Sequence, residues 1–307
     1  MAHFKGITIA LRVFLLACIA SAAGLLKAQT EFIITAGSSH FLGDLGGKPS
    51  VGSNDLSDID WESTRYMGGL GIRQNLGQRF AIRATAYYTR LSANDKYTTN
   101  TERRMRNLNF FSPVGGADAV LEWKWGNGSA AYSGRNWYFF AGVGYFRFDP
   151  RTTYNGATVR LQPLGTEGQY FMSGRSPYKL GALTVPFGIG YKIKATRLGY
   201  LSLQVDARKT FTDYIDDVST TFVDKTALLA SNGQTAVDLS DRSNPDGRII
   251  GFSDPGTIRG NPRNNDNFFF LSVQYNIILG GNDHSAGFSR GGRKGMKRRS
   301  GNGCYTF

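Results

Sequence analysis

The sequence is short of the residues from which most chemical sites are built. It has two cysteines, Cys18 and Cys304, and three histidines, His3, His40 and His284. If the first 28 residues are removed, one cysteine remains, which excludes an internal disulfide. A Ser-His-Asp set or a histidine-rich metal centre has almost no material. No Walker or GxGxxG pattern occurs. Past residue 28, no apolar run reaches the ~18–20 residues that a membrane helix needs.

What is present begins with an export signal. Lys5 and Arg12 flank an apolar run closing on "GLLKAQ", so residues 1–28 read as a signal peptide cleaved after Ala28. A first transmembrane helix would want stop-transfer charges, and none follow. A lipoprotein at Cys18 is disfavoured because apolar sequence continues past it. Residues 29–280 are then expected to form one β domain, with 281–307 as a disordered, basic, glycine-rich tail in the periplasm.

The net charge of +13 is uneven: the signal supplies +3 and the tail +5, leaving +5 for the rest. The tail cations are Arg290, Arg293, Lys294, Lys297, Arg298 and Arg299. Such a cluster can mark nucleic-acid binding. An exported chain points instead to an acidic protein surface or membrane phosphates, and no nucleic-acid partner is expected.

Period-2 alternation dominates the remainder. "YLSLQVDARKTFT" sets Leu201, Leu203, Val205 and Ala207 against Ser202, Gln204, Asp206 and Arg208. "FFFLSVQYNIIL" and "RFAIRATAYYTR" repeat the pattern. Eight such segments fall near 31–40, 65–75, 79–92, 106–125, 136–149, 181–194, 199–214 and 267–279. In the fourth, the apolar phase shifts between Phe110 and Ala117 across "SPVGG", as a β-bulge would make it do.

Long connections interleave with short ones. With an even strand count and an export signal, that rhythm favours an all-β, eight-stranded antiparallel up-and-down outer-membrane barrel over a soluble sandwich. Long loops face outward, and short turns and both termini face the periplasm. Trp123, Trp125, Trp137 and Tyr191 fit an interfacial girdle beside the short turns. Arg65, Arg73, Arg83, Asp118, Glu122, Lys124, Lys192, Asp206 and Arg208 are expected to fill the lumen as paired charges. On that reading an arginine costs more at lipid-facing Leu203 than at lumen-facing Gln204.

Acidic corners follow two rising strands: Asp44 in "GDLGG", and Asp213, Asp216 and Asp217 in "FTDYIDDVSTTF". Hard oxygen ligands for Ca²⁺ are one use for them. Without EF-hand spacing, the preferred reading is turn capping and pairing with loop arginines, with no metal and no cofactor. His40 beside them admits a lipid-hydrolase scheme, against which stands a plain rim histidine. No catalytic residues are assigned.

These same runs resemble the PorG family of Bacteroidota outer-membrane proteins, in which stretches similar to "GDLGG" and "TDYLDDVS" flank barrel strands. The matching positions are Gly43, Asp44, Leu45, Gly46, Gly47, Thr212, Asp213, Tyr214, Asp216, Asp217, Val218 and Ser219. Ile215 stands for the usual Leu, and His40-Phe41 for a usual Asn-Tyr. The resemblance covers roughly Glu31 to Leu279. It implies a non-enzymatic outer-membrane component of the type IX secretion machinery, which also supports gliding in some species. The implied partners are a periplasmic ring of PorK and PorN, other secretion components and outer-membrane lipid, with the tail as the candidate dock. The alternatives are a stand-alone OmpA- or OmpW-like surface barrel, for adhesion or narrow solute passage, and an outer-membrane lipid hydrolase.

Overall fold

The structure is a computed structural model that describes residues 30–45, 61–98, 100–125, 136–195, 198–243 and 251–279. The expected signal peptide, the tail cations Arg290 to Arg299, and Gly46 and Gly47 lie outside the described residues.

Eight long antiparallel strands close on themselves. They are β1 (Thr30–Leu42), β2 (Arg65–Asn75), β3 (Phe80–Asn94), β4 (Asn109–Trp125), β5 (Asn136–Phe148), β8 (Gly181–Ala195), β9 (Gly199–Thr210) and β10 (Asn267–Leu279). Each pairs with its neighbour in sequence, β3 with β4 and β5 with β8 included, and β1 with β10 seals the ring. Closure leaves no sheet edge, which is how a β-structure satisfies its backbone in hydrocarbon. The barrel is of the outer-membrane type.

The strands run 11 to 17 residues, longer than the ~9–11 that a tilted strand needs to cross a bilayer. Long loops and two further strands sit at one end. The short β6 (Arg151–Tyr154) and β7 (Ala157–Arg160) form a hairpin inside the third long loop. Among the described residues three short α-helices also sit at that end: α1 (Thr101–Arg106), α2 (Lys225–Asn232) and α3 (Gln234–Ser240). Their starts are written locally: Asn100 accepts the N–H groups of Glu102 and Arg103, and Asp224 accepts that of Ala227.

The alternating faces separate cleanly. Leu203, Val205 and Val273 are exposed outward, while Ser202, Gln204 and Gln274 are buried in the lumen. Trp123, Trp125 and Trp137 are exposed at the short-turn end, where Trp123 and Trp125 stack and Trp137 meets Tyr191 at 4.7 Å. Two inward glycines make room for rings: Tyr138 lies over Gly190 and Tyr87 over Gly116, where any Cβ would collide with the ring.

One expectation fails. The register of β4 with β3 runs unbroken from Phe80–Trp123 to Asn94–Asn109, so no bulge sits at "SPVGG". Phe110 and Val114 point into the lumen together with Asp118 and Glu122. What changes along β4 is the character of the interior, polar below and apolar above. The barrel's real irregularities lie in β8. Its register with β9 shifts between Lys192 and Lys194. Pairing of β5 with β8 lapses between Ala141–Phe187 and Gly144–Thr184, around Pro186, which has no N–H to give.

Candidate functional site

The lumen is a packed plug in two storeys. In the lower one Arg73 is wholly buried and ion-paired to Glu31 at 2.9 Å and Glu122 at 2.8 Å, and Arg83 meets Glu122 at 2.7 Å. Tyr200 donates to Glu31 at 2.5 Å, and Arg73 donates to Asn276 at 2.7 Å. Above them Arg208 pairs with Asp118 and Asp206, both at 2.7 Å. Its guanidinium also lies 4.2 Å from the ring centre of Tyr87 and 4.6 Å from that of Phe270. Six of the expected lumen charges, Arg73, Arg83, Asp118, Glu122, Asp206 and Arg208, meet here. Lys192 stands over Tyr200, Lys124 reaches Asn75, and Arg65 sits at the rim on the carbonyls of Glu62 and Thr64. Glu31 had no signal in the sequence beyond its parity with Ile33 and Thr35.

Beside Arg83, Asp118 and Arg208 lies a small cavity of about 20 Å³. That is room for about one water.

The upper storey is apolar. Phe41, Met67, Leu91, Phe110, Phe146, Phe148, Phe268 and Phe270 form one cluster with loop residues Leu45, Leu108, Ile215, Val218 and Leu239. The long loops are thereby held down as a lid on the barrel mouth.

Polar bonds lock that lid. Arg106 pairs with Asp95 at 2.8 Å, donates to the carbonyl of Asp44 at 2.6 Å, and bonds the carbonyl of Arg259. Arg259 meets Glu167 at 2.8 Å and donates to the carbonyls of Asp217 at 2.6 Å and Ser240 at 3.1 Å. Glu167 in turn accepts the N–H groups of Ser219 at 2.9 Å and Thr220 at 3.1 Å. Two arginines and one glutamate thus tie together all the long loops.

The acidic corners lie inside this lid. Asp44 accepts the Asn261 N–H at 2.6 Å, and Asp216 accepts those of Leu45 at 3.2 Å and Val218 at 2.9 Å. Asp217 adopts a left-handed φ of 66° and accepts from Thr166 at 2.6 Å and Tyr178 at 2.5 Å. A further acid, Asp266, joins from the other end of the fourth loop and accepts the Ile215 N–H at 2.8 Å. The pKa values of Asp44, Asp213, Asp216 and Asp266 are all raised, with neighbouring carboxylates adding to the rise: Glu167 at Asp44, Asp44 and Glu167 at Asp213, Asp44 and Asp213 at Asp216, and Asp216, Asp213 and Asp44 at Asp266. For each, burial is the largest cause, and Asp213 is pushed up to about 8. Burial likewise lifts Asp217 to about 6, against the pull of Arg259. Pairing with loop arginines therefore describes Asp217 and, more weakly, Asp44 beside Arg106. Asp213, Asp216 and Asp266 have no such ion pair among the described residues, nor is there a cluster of His, Cys, Asp or Glu arranged to hold a metal.

The family model described as "Domain of unknown function (DUF6089)" matches residues 10–230, most of the chain and both acidic corners. The chain belongs to the DUF6089 family. Solved outer-membrane barrels resemble it at low identity. They include Ail, the attachment invasion locus protein of Yersinia pestis (9% identity, 81% of this chain and 99% of that one, TM-score 0.34). The N-terminal barrel domain of Pseudomonas aeruginosa OprF (10%, 81% and 99%, 0.32) and P. aeruginosa OprG (11%, 82% and 98%, 0.35) are similar to the same extent. No curated protein matches the sequence.

In this DUF6089 barrel the motif residues Gly43, Asp44, Leu45, Thr212, Asp213, Tyr214, Asp216 and Asp217 belong to the lid or its junction with the strands. Gly43 touches Asp266 so closely that a Cβ would lie 2.2 Å from its Oδ1. Tyr214 stacks on Tyr178 at 4.5 Å. His40 takes part in a different contact. It stacks on Phe269 at 4.5 Å, with Ser38 Oγ 3.0 Å from Nε2 and Thr64 Oγ1 3.3 Å from Nδ1.

Proposed function

We propose that the protein is a non-enzymatic structural component of an outer-membrane secretion machine of the type IX class, seated on a periplasmic PorK/PorN ring. The observation behind this reading is the filled and lidded barrel. With buried ion pairs across the lumen and an apolar cluster of strand and loop residues at its mouth, the molecule offers partners its surfaces, not a passage. The two runs that resemble PorG supply the lid's acidic anchors, so a role in holding a fixed outer shape suits both.

The expected dock is the cation cluster Arg290, Arg293, Lys294, Lys297, Arg298 and Arg299, which follows β10 in the sequence. Each near-surface cation adds about 1 kcal/mol against anionic lipid, screened beyond ~8 Å. The test is a pull-down from detergent-solubilised envelopes, repeated with all six cations replaced by serine at two salt concentrations. Recovery of a ring-sized assembly that weakens with salt and with the serine variant supports the reading. A complex indifferent to both would remove the tail from it. A lone monomer would favour the stand-alone surface barrel, for which the ordered extracellular lid is the supporting feature. Steady conductance in planar bilayers would argue against both the plug and the structural role.

A further inference from the structure

The outward faces of β3, β5 and β9 change character at their extracellular ends. Tyr88, Tyr145 and Ala207 are followed two positions on by Arg90, Arg147 and Lys209, all exposed. The opposite end of the barrel displays tryptophans instead. Cations thus stand just above the apolar belt on the side where the outer leaflet's headgroups lie.

Arg90 has the most developed setting of the three. Its guanidinium lies 4.4 Å from the ring centre of Phe111 on β4. Arg90 and Arg65 together line a cleft of about 250 Å³, with Ser92, Asn94 and Asn109 as further polar walls. Glu62 borders it, yet Arg65 bonds the Glu62 backbone carbonyl, at 3.3 Å, and not its carboxylate. Neither arginine has an ion-pair partner among the described residues. Below the cleft lies exposed aromatic surface, with Tyr66 93% and Tyr88 66% accessible.

We propose that this cleft binds a phosphate on the headgroup of an outer-leaflet glycolipid. A guanidinium presents a flat fork of donors that matches a phosphate in bidentate fashion. Stacking on Phe111 holds the Arg90 fork in place before the ligand arrives, which lowers the ordering cost of binding. The cleft opens at the upper edge of the lipid-facing surface. An acyl chain of the same molecule can therefore lie along Tyr66 and Tyr88 while its headgroup reaches the arginines. Free phosphate would gain the charge contacts without that apolar contact.

The experiment uses the full-length protein in detergent and native mass spectrometry, with phosphorylated lipid A and the same lipid dephosphorylated as probes. The wild type should prefer the phosphorylated form by roughly tenfold or more, the scale of one charge-assisted hydrogen bond. R65Q/R90Q should abolish the preference, while K179Q, at an exposed loop lysine, should retain it. Heat-dependent gel mobility checks that each variant still folds. Equal retention of the two lipids by the wild type, or an undiminished preference in R65Q/R90Q, would overturn the proposal. So would displacement of the lipid by equimolar inorganic phosphate, since the apolar contact would then add nothing.

Discussion

Arg208 of β9 and Asp118 of β4 face each other across the lumen in a two-bonded pair of 2.7 and 2.9 Å. The two strands are separated by β5 and β8 in the sheet, so this pair ties non-adjacent walls of the barrel together. Removing the cation alone would leave Asp118 and Asp206 buried without their shared ion-pair partner. Arg208→Leu should therefore cost roughly 3–5 kcal/mol of folding stability. Urea unfolding in lipid vesicles measures it. A loss below about 1 kcal/mol would mean that water enters the lumen freely and that the plug is loose.

Strand phase predicts a second pair of effects. Leu203 faces lipid at mid-barrel, and Leu203→Arg should cost roughly 2–4 kcal/mol. Alternation alone suggests that Gln204→Arg is tolerated, because polar residues line that face. The structure reverses the expectation. Gln204 accepts from Arg83 at 2.8 Å and from Gln274 at 2.9 Å, all three buried, beside a cavity with room for about one water. An arginine there would place a second cation against Arg83 and overfill the space. Gln204→Arg should thus fold no better than Leu203→Arg in a bilayer refolding assay. Near-wild-type yield for Gln204→Arg would favour a hydrated lumen.

The sequence made the barrel legible because its outer face is read by a single rule. Leu201, Leu203 and Val205 meet lipid, their alternate neighbours do not, and eight such runs with alternating loop lengths leave few topologies. The interior obeys two rules, and that is where the sequence misled. Phe110 and Val114 look out of phase with Asp118 only if the lumen is polar throughout. The upper storey is apolar because the loops pack down into it. The acidic corners were visible as motifs, but Asp266 was not, since nothing local marks a residue whose partners lie some fifty positions away. Arg259 and Glu167 were silent for the same reason. Each sits in a stretch of turn-like sequence, and their bond at 2.8 Å exists only once the third and fourth loops have closed.

Lid stability should depend on pH in a direction set by the raised carboxyls. Burial lifts Asp213 to about 8 and Asp217 to about 6, while an unfolded aspartate titrates near ~3.9. Below ~4 these groups are protonated in both states, and their contribution is fully present. As pH climbs from ~4 to ~8 the unfolded chain loses protons that the lid keeps, so the lid weakens and then levels off. Limited proteolysis or amide exchange of the loops at pH 5, 7 and 9 follows this. Asp213→Asn should flatten the trend and firm the lid at pH 9. EGTA should change nothing. Loosening by EGTA that Ca²⁺ reverses would instead place a cation among these carboxylates.

The lid itself should come loose from an intact barrel when Arg259 is removed. Its side chain is 3% exposed in total, and it holds Glu167, the Asp217 carbonyl and the Ser240 carbonyl at once. Arg259→Met preserves much of the stem's apolar contact but deletes the charge. Glu167 would keep its backbone donors from Ser219 and Thr220, yet as a buried carboxylate it would lose its cation. By analogy with other broken buried pairs the cost is roughly 3–5 kcal/mol, falling on the loops and not on the strands. The expected signature is rapid protease cleavage within 211–266 while the strand amides keep their exchange protection and the heat-modifiable gel shift persists. Glu167→Gln with Arg259→Met removes both charges and should restore part of the lid's resistance. If Arg259→Met instead unfolds the barrel outright, lid and barrel form one cooperative unit. Were the loops to stay protease-resistant, the apolar contacts of Leu45, Ile215 and Val218 would suffice without the ionic lock.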